Sequence, residues 1–442
     1  MGTIRQETLT VRAEVRPQNR ALVEAAIAAL AMPYARPALF ADDLLRIHFA
    51  RMAFVWEPDD SPYPSALYME SNFDTEWDDP SEAARAHLEE LAARRFDELW
   101  TVFRHCVGFE KKTSQSEVVA LWHDRVVPPT VRYQGHTLRD VNRIRSERRI
   151  SDAARRHVSK LQGTPSAMQV WRSARDYVLS DGARADGVTE ADQMLLRGPP
   201  YDWPDPRRVR ELLKRSLVSA YVHSAPFEFV KLFAKMPEIV LHERKDPQFD
   251  SEKWLDQRDA VADAAKAATE DFATQNALTH LVSIKDGGAR LPILRAAHAV
   301  IGAAAKGHFD WVGELGGIPT IHFAKWMLVD DDKRLLFFSN YDGNWESYIG
   351  DFVDQAHSGL NLAWFCTEEY PKTSFALGAG ANDEERFKLW TRAGERPTQL
   401  FYSAYPDLSV ALVNQNSWIC RSLHAGGEPA PSDVSEWTRR LG

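Results

Sequence analysis

Cysteine is scarce in this chain: Cys106, Cys366 and Cys420 are the whole complement in 442 residues, and no two of them make a CxxC pair. So sparse a set excludes a disulfide-stapled secreted scaffold and fits a reducing compartment, with the cytoplasm as the expectation. Long hydrophobic runs are missing too. No stretch reaches the roughly 18 uninterrupted apolar residues of a spanning helix, and "MGTIRQETLTVRAEV" has no apolar core of a signal peptide. Basic residues do not predominate, since the net charge is −9, which gives a phosphate backbone nothing to bind and argues against nucleic acid as a partner. Walker A, GxGxxG after a strand, HExxH, GxSxG and an EF-hand loop are all absent. Nucleotide kinases, standard dehydrogenases, zinc proteases and serine hydrolases therefore drop out, and no metal-ligand spacing is found.

What is present is a repeat. "IHFARMAFV" at 47–55 returns as "IHFAKWMLV" at 321–329, and "SNFDTEW" at 71–77 returns as "SNYDGNW" at 339–345. The offset falls from 274 to 268, as a shorter hairpin loop in the second copy would require. "HCVGFEKKTS" at 105–114 then answers "FCTEEYPKTS" at 365–374, and "LWHDRVVPPT" at 121–130 answers "LWTRAGERPT" at 389–398. Four matches in one order indicate a duplication.

Each copy reads as β-α-β-β-α-β. "TLTVRAEV" alternates with Leu9, Val11, Ala13 and Val15 on one face, and "ALTHLVSIK" takes the same place in the second copy. An apolar helix, a hairpin, a second helix and a last strand at "TVRYQGH" or "TQLFYSAY" follow. This order is the ferredoxin-like unit, whose bare sheet face two copies bury against each other. The expected fold is α+β: tandem ferredoxin-like units forming a pseudo-twofold barrel. Copy 1 spans 1–150, a helical insertion spans 151–275, and copy 2 spans 276–442. Within the insertion, the basic amphipathic stretch 207–236 suggests packed helices or a peripheral membrane or partner contact.

The second copy's "GGIPTIHFAKWMLVDDDKRLLFFSNYDGNWESYIGDF" and "GAGANDEERFKLWTRAGERPTQLFYSAYPDLSV" resemble a bacterial protein family that carries an "HFAR" strand followed by an "SN-aromatic-DG-W-SYLGDF" segment. The resemblance is strongest over 270–425 and weaker over 8–150. Lys325 departs from the arginine more usual in that pattern. At the level of fold the arrangement is similar to the dimeric α+β barrel superfamily of dye-decolorising peroxidases, chlorite dismutase-like haem proteins and antibiotic-biosynthesis monooxygenases. That resemblance implies an oxidoreductase acting on a hydrophobic or aromatic small molecule in the barrel's cavity, with haem as a candidate cofactor. "NYDGNW" lacks the first glycine of the peroxidases' GxxDG motif.

Several residues are candidates for that chemistry. His48 and His322 lie mid-strand, and strict alternation puts His322 on one face with Trp326. Either histidine can be a general base, a haem ligand or a hydrogen-bonded core residue. Asp74 and Asp342 end the next strand, where an aspartate either caps a helix or orients the imidazole. Arg51 and Lys325 are charge stabilisers in the same pattern. His357 is the helix-borne haem-ligand candidate suggested by the peroxidase relatives, and His87 is its counterpart in the first copy. Trp345, Tyr402 and Tyr405 supply aromatic lining for a pocket, or ordinary core packing. His322, with the richer aromatic surroundings, ranks ahead of His48. The competing function is a non-catalytic ligand- or partner-binding protein.

Overall fold

The computed structural model describes residues 5–31, 39–41, 45–111, 114–197, 249–257, 270, 273–424 and 429–441, together with Ala234 and Pro237. The stretch 207–236 thus lies outside the described residues, apart from Ala234. In chain order the elements are β1 (Arg5–Glu14), α1 (Arg20–Ala31), β2 (Ile47–Val55), β3 (Ala66–Thr75), α2 (Pro80–Phe103), α3 (Gln115–Asp124), β4 (Val131–Gln134) and α4 (Val141–Val158). Next come α5 (Ala167–Val178), α6 (Glu190–Arg197), α7 (Ser251–Gln257), β5 (Gln275–Ser283), α8 (Arg290–Ala304), β6 (Ile321–Val329), β7 (Arg334–Asp342) and α9 (Trp345–Trp364). The last are α10 (Glu384–Gly394), β8 (Leu400–Ser403), α11 (Val410–Ser422) and α12 (Pro431–Leu441).

Two compact units result. One comprises residues 1–138 and 206–407, the other 139–205 and 408–442. Where the sequence suggested boundaries near 150 and 275, the contacts part after Leu138, Asp205 and Asp407. The second unit is helical, built from α4, α5, α6, α11 and α12 around Trp171, Ile150, Ile419 and Trp437. No helix among the described residues is long and apolar enough to cross a membrane.

The first unit is mixed α/β with two antiparallel four-stranded sheets, ordered β1-β3-β2-β8 and β4-β6-β7-β5. Each sheet takes its last strand from the far half of the chain: β8 pairs with β2, and β4 pairs with β6. The sheets pack face to face. Ala53, Val55, Ala66 and Tyr68 from one meet Leu281, Met327, Val329, Leu336 and Phe338 from the other. Their outer faces are covered by helices, with Leu9, Val11, Ala13, Val15, Met52 and Trp122 in one core and Leu278, Trp326, Phe337, Trp345 and Trp364 in the other.

Neither sheet closes into the expected barrel. The reason is local. The 125–127 segment pairs briefly with β1, through Arg12 N–H donating to Arg125 O and Val127 N–H donating to Thr10 O. Pro128 and Pro129, which have no N–H to donate, then end the ladder before β4 begins on the other sheet. Pro397 does the same after Arg396 N–H donates to Thr279 O.

Candidate functional site

The ladder between β2 and β3 slips between Ile47 and Phe49, and the ladder between β6 and β7 slips at the same point, between Ile321 and Phe323. His48 and His322 are the extra residues of two β-bulges. A bulge breaks the two-residue period and turns every later side chain over. Ile47 and Ala50 therefore face the helices, while Phe49 meets Phe323 across the sheet interface at 5.8 Å between ring centroids. Both histidines point inward with these phenylalanines, His48 5.3 Å from Phe323 and His322 4.9 Å from Phe49. Trp326, expected beside His322, sits on the opposite face, packed on Phe337 and Trp364 at 4.5 and 5.3 Å.

Each imidazole is held at both nitrogens. His48 Nε2 lies 2.8 Å from Asp74 Oδ1, and its Nδ1 lies 2.8 Å from the Tyr405 hydroxyl. His322 Nε2 lies 2.7 Å from Asp342 Oδ1, and its Nδ1 lies 2.7 Å from His136 Nε2. The shortest contact of each Nε2 is to a carboxylate oxygen, 2.8 and 2.7 Å against 3.3 and 3.4 Å to the Gln6 and Gln275 amide nitrogens, so the proton is assigned to Nε2 in both rings and Nδ1 accepts. Tyr405 then donates its O–H to His48, and His136 donates Nε2–H to His322. Gln6 donates to His136 O at 2.9 Å, and Gln275 donates to Tyr405 O at 3.1 Å, so each glutamine ties one dyad to the strand end that caps the other. Both histidines are 0 % exposed. Asp74 and Asp342 orient imidazoles and do not cap helices: α2 is capped by Asp79, which accepts from Ser81 and Glu82 amides, and α9 by Asn344, which accepts from Ser347 N–H.

Tyr405 reaches His48 and not the nearer-in-sequence His322 because β8 crosses to the first sheet. It sits 5.4 Å from Phe49, 5.8 Å from His48 and 6.2 Å from His322, at ring centroids, so both histidines have aromatic neighbours. The two dyads are alike in every partner except the last.

One layer deeper lie Arg51, Glu70 and Lys325, all fully buried. Arg51 spends its five donors on Glu70 (2.8 Å), Leu278 O (2.7 Å), Thr279 Oγ1 (3.3 Å), Ser339 O (2.9 Å) and Asn340 Oδ1. Lys325 donates the other way, to Glu70 Oε1 (3.2 Å), Leu9 O (3.1 Å) and Thr8 Oγ1. The pair clasps the sheets reciprocally, leaving neither cation a donor to offer a substrate. Burial pushes the Glu70 carboxyl up, but Lys325 and Arg51 outweigh it and hold the group below its usual range. Burial pulls the Lys325 ammonium down to about 8, against the partial support of Glu70.

The other candidates are dispersed. His357 is half-buried on α9, which packs on the outer face of its sheet, away from His322. Its supposed counterpart His87 is matched in role by Tyr348. His87 stacks on Phe73 at 3.8 Å and bonds Ser71 Oγ at 2.9 Å, while Tyr348 stacks on Tyr341 at 3.8 Å and donates to Ser339 Oγ at 2.6 Å. Trp345 is buried beneath Arg392 in the outer core, and Tyr402 packs on the helix side of the first sheet. Cys106 and Cys366 are both buried, and burial pushes the Cys106 thiol up to about 12. A groove of about 200 Å³ reaches Asp74 from outside, lined also by Arg46, Glu76, Trp77, His87 and Glu90. No group of three or more metal-ligating side chains is found among the described residues.

Gln6, Gln275, His136 and Glu70 were not singled out from sequence. The first two were available: "ALTHLV" aligned on "TLTVRA" puts Gln275 opposite Gln6 two residues upstream. Compared with family models, curated proteins and solved structures, the chain finds no match.

Proposed function

We propose that the chain is a tandem duplication of a ferredoxin-like unit, related to the dimeric α+β barrel superfamily and to the bacterial "HFAR" family, and that it works as an oxidoreductase on a hydrophobic or aromatic small molecule. One observation carries the catalytic part: two matched aspartate–histidine dyads end in different groups, a phenol on His48 and an imidazole on His322. A structural pin has no need of that difference, whereas proton transfer coupled to oxidation does. The reading centres on His48, Asp74 and Tyr405, with His322, Asp342 and His136 as the unoxidisable counterpart. Neither His48 nor His322 has a ring nitrogen to offer a haem iron. Both nitrogens of His48 and of His322 are engaged, and Trp326 packs on Phe337 and Trp364 on the opposite face of the sheet from His322.

A second reading, a ligand- or partner-binding protein whose dyads only hold the sheets together, is favoured by the complete enclosure of both imidazoles. Comparing His48→Gln, His322→Gln and the parent protein in peroxide- or dioxygen-dependent oxidation of phenolic and hydrophobic probes separates the two. The oxidoreductase reading expects turnover that His48→Gln lowers by roughly a hundredfold while the fold survives. Equal losses of stability in the two variants, with no turnover by the parent, would establish the binding protein instead.

A further inference from the structure

We propose that Tyr405 is a redox-active tyrosine, oxidised by one electron as its phenolic proton passes to His48. The inference rests on the oxidoreductase reading for its place in a reaction, but its chemistry stands on the geometry alone.

Removing an electron from a phenol makes its proton strongly acidic, so oxidation is easy only where a base is already hydrogen-bonded to the oxygen. His48 Nδ1 is that base, 2.8 Å from the Tyr405 oxygen and, by the tautomer that Asp74 imposes, holding a lone pair toward it. The transfer makes His48 an imidazolium, which Asp74 stabilises through Nε2–H at 2.8 Å, as a carboxylate does for the imidazolium of a catalytic triad. Atoms and charge balance: the electron goes to an outer-sphere one-electron oxidant, the O–H bond of Tyr405 breaks, and an N–H bond forms on His48. The products are a neutral phenoxyl radical and an imidazolium–carboxylate pair. Reduction of the radical returns the proton along the same 2.8 Å contact.

Three further observations suit a stored radical. Tyr405 is 4 % exposed, closed in by Phe49 and the rings of His136 and His322 at 5.4 to 6.2 Å, so solvent and small quenchers are kept off. The buried thiols lie in other cores, Cys106 and Cys366 behind the outer faces of the sheets. Asp74 borders the groove of about 200 Å³ with its side chain only 1 % exposed, so the proton taken from the phenol stays within the buried His48–Asp74 pair. The second dyad has the same relay and ends in His136, an imidazole that does not yield this chemistry.

The full-length protein mixed with a hexachloroiridate(IV)-type oxidant in stopped flow, in H2O and D2O, tests this, with the visible band and EPR spectrum of a neutral phenoxyl as the readout. A long-lived phenoxyl is expected in the parent and in Tyr402→Phe, and it should vanish in Tyr405→Phe, which removes only a hydroxyl. His48→Gln should slow its formation by roughly a hundredfold and make the rate depend on buffer base and pH. Asp74→Asn, which leaves His48 in place, serves where that variant folds poorly, with near-UV circular dichroism as the check on fold. No phenoxyl in the parent, or one whose yield is untouched by Tyr405→Phe, would overturn the proposal. So would unchanged rate and isotope effect in both relay variants. Turnover of probes with no Tyr405 radical would leave the oxidoreductase reading standing and sink only this inference.

Discussion

At the scale of single residues, the charged layer between the sheets sets the sharpest expectation. Among the described residues Glu70 is the carboxylate paired with both Arg51 and Lys325, so Glu70→Gln leaves the two buried cations hydrogen-bonded to neutral acceptors. Removing one partner of a buried ionic group costs about 3–5 kcal/mol, and the urea midpoint should fall accordingly. Lys325 adds a pH dependence whose sign can be worked out. Its ammonium releases the proton at about 8 in the folded chain and near 10.5 once unfolded. Between those values the unfolded state holds the extra proton, so this group makes stability rise with pH from about 8 to 10.5. Below about 8 both states are protonated and the slope vanishes. Lys325→Met should flatten the melting temperature's dependence on pH in that window relative to the parent protein; an unchanged slope would remove Lys325 as its source. Both cations were legible in the sequence because they follow the repeated "HFA". Glu70 was not, because its counterpart in the second copy is Phe338, and a repeat marks only what the copies share.

At the scale of elements, the hairpins and the helices beside them could be read from periodicity, whereas the faces of the central strands could not. Alternation ran through His322 to Trp326, but a bulge adds one residue without leaving a mark in the hydrophobic pattern, since both faces of these strands are buried. The bulge is fixed from outside. Gly135 N–H donates to His322 O at 2.7 Å, and Ala404 N–H donates to His48 O at 2.9 Å, so each capping strand end holds the carbonyl of the bulged residue. Gly135 has no room to spare, because a Cβ there would stand 2.6 Å from Ile321 O and 3.0 Å from His322 O. Gly135→Ala must push the strand end off the bulge. It should cost about 1–3 kcal/mol, as overpacking a buried site does, and should loosen the His136–His322 contact before the rest of the sheet. Chemical denaturation gives the first quantity, and the imidazole NMR resonances of His136 and His322 report the second. A neutral substitution would show that the approach is not the restraint described.

At the scale of the whole molecule, the sequence disclosed that the chain repeats but not that the halves exchange strands. The signal was present only as two proline-bearing stretches, "VVPPT" and "ERPT", which read as loops. Their effect is topological: each stops a short pairing with its own half's first strand and delivers β4 or β8 to the other half's hairpin. The bonds that cap the two dyads follow from that crossing, and the packing of the two sheets adds the charged clasp. Tyr405 meets His48, His136 meets His322, Arg51 clamps β5 and β7, and Lys325 clamps β1. Neither half can satisfy its own dyad. A half alone would also expose much of the inner face of its sheet, because Ala53, Val55, Ala66 and Tyr68 pack against Leu281, Met327, Leu336 and Phe338 of the other half. The chain cut between residues 205 and 249 should therefore give two fragments that fail separately and succeed together. Expressed alone, each is expected to aggregate or to unfold without a cooperative transition. Co-expressed with a tag on only one, they should copurify in equal amounts and melt as a single species, and Arg51→Met in the first fragment should weaken the pairing by taking donors from Leu278 and Ser339. A first fragment that folds cooperatively by itself would mean that the borrowed strand and the cross-sheet clasp contribute little, and that each half is self-sufficient.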